Sequence, residues 1–465
     1  LEFNGNVIHS GNLTYGDPKF VDADAADFHL SDDSPMLDQG GLTTPLDHDF
    51  EGDLRPADQG FDLGADERRS CWARIKRTEP ETTYIGPFAS PQLAIDASEP
   101  GDQIQVTVGE CRGVHTYDDG VTSYEQTVHI THNVALAGGY LRDFSDQTSF
   151  GSPFRTLFNA EGAGRAILID DTSAVTISNI SLMGGDADQG GGLYATTGNL
   201  VLSRVEVSES HADYGGGLVS DGPQTILQDV RVISNTATFD GGGLFVPSGV
   251  VTITGATTRF AQNVAAGQGG GLYNAGGSVT VLRTTGRVVI ELNVAGTEGG
   301  GLYQENTSHA SMDLHGVRIA GNQAARGAGL YALVDLGSVD VMLDDGCRLY
   351  GNVASQDGGA IYGGGSGLIV QNTLIYTNTA EAQGAGLYLS GSPLVRFNTL
   401  LGNRAIQEGG GIYIASGTPN VQHNILDRNL ASNGSAVYGA GGNLDYNAYW
   451  PRSEEHTSEL QSLLI

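Results

Sequence analysis

The chain has 465 residues, 69 of them glycine, and sets 54 Asp and Glu against 23 Lys and Arg for a formal net charge of −31. Such a surface repels phosphate backbones and anionic lipid, which argues against nucleic acid as a partner, and no stretch approaches the roughly 18 uninterrupted apolar residues of a membrane span. The glycine content is about twice the usual share, without the Gly-X-Y period of collagen, so the excess belongs to turns.

Residues 1–67 carry 16 acidic residues against two basic ones and few long apolar runs, and read as a terminal module. Within it Asp47, Asp49, Glu51, Gly52, Asp53 and Asp58 space hard oxygen ligands as an Asp-rich calcium loop does, so calcium is the one cofactor expected. Position twelve is Asp58 rather than Glu, and Arg55-Pro56 disfavours the helix that normally follows. Residues 68–78 hold the basic cluster Arg68, Arg69, Arg74, Lys76 and Arg77 and read as a linker. Cys71 and Cys111 bracket one module and can pair in an oxidising compartment, whereas Cys347 is expected as a buried free thiol.

Residues 79–103 read as an opening cap. Ser90 can cap a short helix with Pro91 at its first position, and Leu93, Ala94, Ile95 and Ala97 give it an apolar side to plug a first coil. Pro100-Gly101-Asp102 then turns into the alternating segment Gln103–Val108.

From there to residue 450 the chain repeats. Variants of Gly-Gly-Gly-Leu-Tyr open at 190, 215, 241, 269, 299, 327, 358, 384, 409 and 434, at intervals of 25 to 31 residues. A second element keeps the same register, an apolar residue three positions before an asparagine and an alanine two positions after it. Examples are Val232/Asn235/Ala237, Phe260/Asn263/Ala265 and Ile375/Asn378/Ala380. A unit this short cannot bury its own apolar face and must stack on copies of itself. Segments such as Ala174–Ser178 and Ser278–Val281 alternate as half-buried strands, with no helical period.

The expected fold class is therefore all-β, a right-handed parallel β-helix of 25–31 residues per coil over residues 104–450. Each coil has room for three strands of about five residues, and ten coils make a rod of about 50 Å. Asparagines are expected at left-handed turn positions, their amides bonded from coil to coil. The residue before each glycine triplet runs Asp240, Gln268, Glu298, Arg326, Asp357, Gln383, Glu408 and Asn433, with acids on alternate coils, as stacking like charges requires. Residues 452–462 read as a translated sequencing-library adapter, so 451–465 is set aside as non-native tail and the chain is expected to be a fragment of a tandem array.

Gly-Gly-Ala-Ile at 358–361 and Phe-x-x-Asn at 260–263, with their variants, resemble the repeats of polymorphic outer-membrane proteins and other bacterial right-handed β-helix repeat proteins. Asp53-Leu54-Arg55-Pro56 with Gly60–Glu67 is similar to the closing segment of such proteins. The resemblance implies a pectin-lyase-like fold and a secreted or surface-displayed, adhesive life, with polysaccharide or cell-surface components as partners of a monomeric rod.

Three sets of residues are candidates for function. The residue after the inward Leu or Ile of the glycine motif is Tyr194, Tyr273, Tyr303, Tyr331, Tyr362, Tyr388, Tyr413 or Tyr438, with Phe245 and Val219 in the other two coils. These rings are expected as an outer row that could meet sugar faces, or as a stiffening cover for their own sheet. Arg231, Arg259, Arg318 and Arg348 are expected outside as a basic stripe, suited to an anionic polysaccharide or to pairing with neighbouring carboxylates. Asp240/Glu298 and Glu298/Asp357 fall two coils apart, about 9.6 Å, near the separation of inverting glycosidase carboxylates, although charge spacing explains them equally. No catalytic residue is assigned. The leading expectation is a non-enzymatic exported repeat protein, adhesive or structural, against a lyase or hydrolase acting on uronic-acid polymers and against an inert spacer.

Overall fold

The computed structural model describes residues 71–78, 80–118, 123–141, 143–151, 155–170, 174–307, 310–334 and 341–450, with short stretches at 17–23, 27–30, 34–36, 39–40 and 63–64. The calcium-loop positions Asp47, Asp49, Glu51, Asp53 and Asp58 and the tail 451–465 lie outside the described residues. In the first module, Phe20–Asp22 and Asp27–Leu30 pair antiparallel.

The repeat region is the expected right-handed parallel solenoid, in three stacked sheets of 26, 13 and 9 described strands. A coil enters on a three-residue strand such as Leu272–Asn274, turns, and crosses to Ser278–Val281. It bends to Val289–Glu291, bends again to the two-residue strand Val294–Ala295, and returns through glycines. From Leu218 to Ala405 each coil thus has four short strands rather than three of about five residues. A residue at positive φ separates the third strand from the fourth.

That residue is not the asparagine. The positive φ falls one position earlier, at Ser234, Gln262, Leu292, Thr377 and Arg428, and the asparagine side chain points inward, with Asn235, Asn263, Asn293, Asn322, Asn352, Asn378 and Asn403 fully buried. Burial is tolerable because every amide is satisfied. In Asn322 the Nδ2 donates to Ile290 O at 3.1 Å and to Asn352 Oδ1 at 3.0 Å, while Oδ1 accepts from the N–H and Nδ2 of Asn293, both at 3.0 Å. The alanine two positions later faces a pinch in the core, where Ala295, Ala324, Ala354, Ala380 and Ala405 form a cluster of their own.

Glycine is required at the returning corner for two reasons. Gly269 sits at φ +65°, and a Cβ on Gly270 would lie 2.4 Å from Val294 O and 2.6 Å from Gly300 O of the next coil. Inside, one apolar cluster runs from Cys71 to Leu426. Each fully buried Leu, Ile or Val in it contributes about 1.5–3 kcal/mol.

The opening end differs from expectation in one respect. Residues 71–78 are no linker: Ala73–Arg77 is a strand, antiparallel to both Thr83–Phe88 and Gln103–Thr107. Cys71, Ala73 and Ile75 are buried while Arg74 and Lys76 face outward, a period-2 pattern that the basic charges mask. Arg77 reaches Asp102 at 2.7 Å and Glu99 at 3.0 Å, and Cys71 is joined to Cys111 by a disulfide. The helix forms over Pro91–Asp96 with Ser90 as N-cap, burying Pro91, Ala94 and Ile95 but leaving Leu93 exposed. Strand and helix together cover the open edge of the first coil, which would otherwise be free to pair with another chain.

Candidate functional site

The tyrosine row is outermost on its sheet, as alternation requires. Centroid distances from Phe245 through Tyr273, Tyr303, Tyr331, Tyr362, Tyr388 and Tyr413 to Tyr438 range from 4.2 to 6.0 Å, with interplanar angles of 30° or less. Such stacking occupies both faces of each interior ring, so a sugar meets only edges and hydroxyls there. Tyr303 and Tyr331 are only 7% and 8% exposed. Where the row carries Val219, Tyr214 from the pre-glycine position packs on Phe245 at 5.5 Å with a 32° tilt instead. Burial pushes the Tyr331 phenol up to about 12 and raises those of Tyr273, Tyr303 and Tyr388 as well. Tyr273 also donates to Glu305 Oε2 at 2.7 Å.

Beside the rings runs the pre-glycine row. Gln268 Nε2 donates to Glu298 Oε2 at 3.0 Å, Arg326 pairs with Glu298 Oε1, and Gln383 Nε2 donates to Glu408 Oε2 at 2.8 Å. The alternation of acids with neutral or basic residues is thus a chain of coil-to-coil contacts. Burial holds the Asp240 and Asp357 carboxyls above the usual carboxylate range, although Asp240 Oδ1 accepts the Gln268 N–H at 2.7 Å and Asp357 Oδ1 the Gln383 N–H at 3.0 Å. Gln268 occupies the coil between Asp240 and Glu298, where an inverting pair would need room for a water and a sugar. The two-coil spacing is thereby accounted for by stacking. Glu305, close enough to Asp240, Tyr273 and Tyr303 to affect their titration, stood outside the repeat pattern and was not legible in it.

The four arginines project outward, in register Arg231, Arg259, Val289, Arg318, Arg348. Glu291 takes Arg259 at 2.6 Å and Arg318 at 2.7 Å, and Glu206 takes Arg231 at 3.5 Å. Arg348 is exposed and has no ion-pair partner among the described residues. Arg283 and Arg348 lie near enough to Arg287 to depress its affinity for a proton, after burial, and Arg287 itself is tied by Nη1 to Gly316 O and Gly346 O, both at 2.7 Å. Alongside, Tyr350 and Tyr376 stack at 4.8 Å. A cationic patch with an aromatic border therefore stands on an acidic protein.

A second asparagine series, Asn398, Asn424 and Asn447, was missed in the sequence because it lacks the alanine and glycine frame. The residues at positive φ before these asparagines, Phe397, His423 and Tyr446, stack in the open at 4.9 and 5.1 Å. Cys347 is the buried free thiol expected, its pKa pushed up to about 11 by burial. Among the described residues no group of three His, Cys, Asp or Glu is placed to hold a metal, and no helix is long and apolar enough to cross a membrane.

Residues 272–448 match the family model described as "Right handed beta helix region". No curated protein matches the chain in sequence. Among solved structures, the A-module of mannuronan C-5 epimerase AlgE6 from Azotobacter vinelandii aligns over 78% of this chain and 95% of its own, at 16% identity and a TM-score of 0.42, too distant a likeness to bear on activity. The family match over residues 272–448 and the coil-on-coil parallel pairing agree: the repeat region of this chain is a right-handed parallel β-helix.

Proposed function

We propose that the chain is a secreted or surface-displayed β-helical rod that binds an anionic polysaccharide through the patch of Arg283, Arg287, Arg318 and Arg348, without processing it at the tyrosine row. The observation that carries this reading is Arg348, exposed and unpaired among the described residues while Arg231, Arg259 and Arg318 are held by carboxylates. An unpaired guanidinium beside a second aromatic pair is suited to a carboxylate or sulfate on a sugar. The Cys71–Cys111 disulfide supports an oxidising compartment. The carboxylates beside the tyrosines are engaged with Gln268, Arg326 and Tyr273, which supports a scaffold role for that row.

The test is binding of the whole chain to polyuronate and to neutral glucan at low and high salt, with new chain ends followed over the same hours. Binding to the polyuronate that weakens with salt is expected. Arg348→Ala with Arg283→Ala should weaken it about tenfold, since each exposed charge contact is worth about 0.2–1 kcal/mol. No binding by folded protein at low salt would leave the spacer reading, and release of chain ends would turn the reading to an enzyme.

A further inference from the structure

Three successive coils depart together from the repeat on the face of the nine-stranded sheet. Its outward row runs Val264, Val294, Gln323 and Val353 in register in the later coils, whereas the first two coils put Asp186 and His211 opposite each other there. In the third, Thr238 follows two residues after Thr236, the partner of His211 in register. Asp186 Oδ1 lies 2.8 Å from His211 Nδ1, and Thr238 Oγ1 lies 3.2 Å from His211 Nε2. With Nδ1–H donating to Asp186, Nε2 is left to accept the threonine hydroxyl. This is the arrangement of a hydroxyl nucleophile, a general base and a carboxylate that fixes the base's tautomer.

The neighbouring residue gives the site a surface for substrate. Phe239 is 47% exposed and packs on Tyr214 at 5.2 Å with a 33° tilt, while Tyr214 in turn packs on Phe245 at 5.5 Å with a 32° tilt. Phe239 therefore ends that row of tilted rings, with one ring face not covered by it, directly after Thr238. Asp186 and His211 are about half exposed, with side-chain exposures of 56% and 48%, and no wall of the solenoid closes over them. An open site of this kind admits an ester carried on a large polymer and excludes nothing by size.

We propose that Thr238, His211 and Asp186 form a second, hydrolytic site, acting on exposed carboxylic esters of the O-acyl-sugar type. Thr238 Oγ1 attacks the acyl carbon as His211 Nε2 takes the hydroxyl proton. The ester C–O bond breaks and the alcohol leaves with that proton. A water molecule, deprotonated by His211, then attacks the acyl-threonine, releasing the carboxylic acid and restoring threonine. The sum is ester plus water to acid plus alcohol, with no redox partner. Thr238 and His211 are the catalytic residues and Asp186 is a positioning residue. The backbone N–H groups of Thr238 and Phe239 are committed to Ala212 O and Asp213 O, both at 2.9 Å, so they offer no oxyanion donor. Turnover should accordingly run about 10²–10³ below that of a site with one.

The experiment uses the full chain with 4-nitrophenyl acetate as probe, reading nitrophenolate release and the mass of the peptide carrying Thr238 after rapid acid quench. Release above that of the His211→Gln variant is expected, with one acetyl on the Thr238 peptide. Thr238→Ala should lose at least about tenfold in rate, a single general-base-assisted nucleophile contributing that much or more. Thr238→Ser should keep the activity, and Asp186→Glu should recover part of what Asp186→Asn loses. These residues are exposed, so unchanged melting curves will show that the variants fold. Equal rates in the wild type and Thr238→Ala, or acetyl found on His211 or spread over the chain, would overturn the proposal.

Discussion

Asn322→Ala tests the claim that buried amides hold the coils in register. The substitution removes the two bonds that Nδ2 donates and the two that Oδ1 accepts. Asn352 Oδ1 keeps the backbone N–H of residue 322, at 3.0 Å. The N–H of Asn293 and one of its Nδ2 hydrogens are left without an acceptor, on a residue with no solvent exposure. Each orphaned buried donor costs about 1–3 kcal/mol, so the loss should be about 4 kcal/mol, a large part of a domain's usual stability of about 5–15 kcal/mol. Urea unfolding followed by far-UV circular dichroism measures it, with an unchanged m-value required for the comparison. The control is Asn443→Ala, whose side chain is exposed and donates one long bond of 3.4 Å to Asn420; it should fall within about 0.5 kcal/mol of wild type. A loss below about 1 kcal/mol at Asn322, or one equal to that of Asn443, would refute the reasoning, because the cost of the two orphaned donors would then be absent.

Gly270→Ala should destabilise by about 3 kcal/mol or more in the same assay, its Cβ meeting two carbonyl oxygens of the next coil. Gly402→Ala, at φ +61° with nothing within 4 Å, should lose only the left-handed penalty of about 1–2 kcal/mol. Alkaline titration should destabilise the rod. The Tyr331 phenol, raised to about 12 in the folded chain, contributes stability present in full below its unfolded value near 10 and lost as pH rises through the folded value, about 2–3 kcal/mol for that ring alone. Phenolate absorbance appearing for all tyrosines near pH 10 without unfolding would contradict this. Removing the disulfide with Cys71→Ser and Cys111→Ser should cost about 4 kcal/mol for a loop spanning 40 residues. The loss should show as proteolysis confined to the opening coils, since each coil contacts only its neighbours.

The sequence by itself determined the solenoid, its coil length and its register. Period and glycine position are set by stacking, and stacking repeats the same constraint in every coil, so eight asparagine frames can be read without coordinates. It also placed the tyrosines, the arginines and the short opening helix on the correct sides. Only the tertiary structure decided what those side chains can do. Alternation says that Tyr303 points out, but not that rings about 5 Å away on both sides cover its faces. Charge says that Arg318 is basic, but not that Glu291 holds it and leaves Arg348 unpaired among the described residues. Arg74 and Lys76 suggested a linker because their charge hid the buried alternation of Cys71, Ala73 and Ile75. The Asp186–His211–Thr238 constellation is the extreme case. Its members stand 25 and 27 residues apart in sequence and meet only because one coil lies on the next.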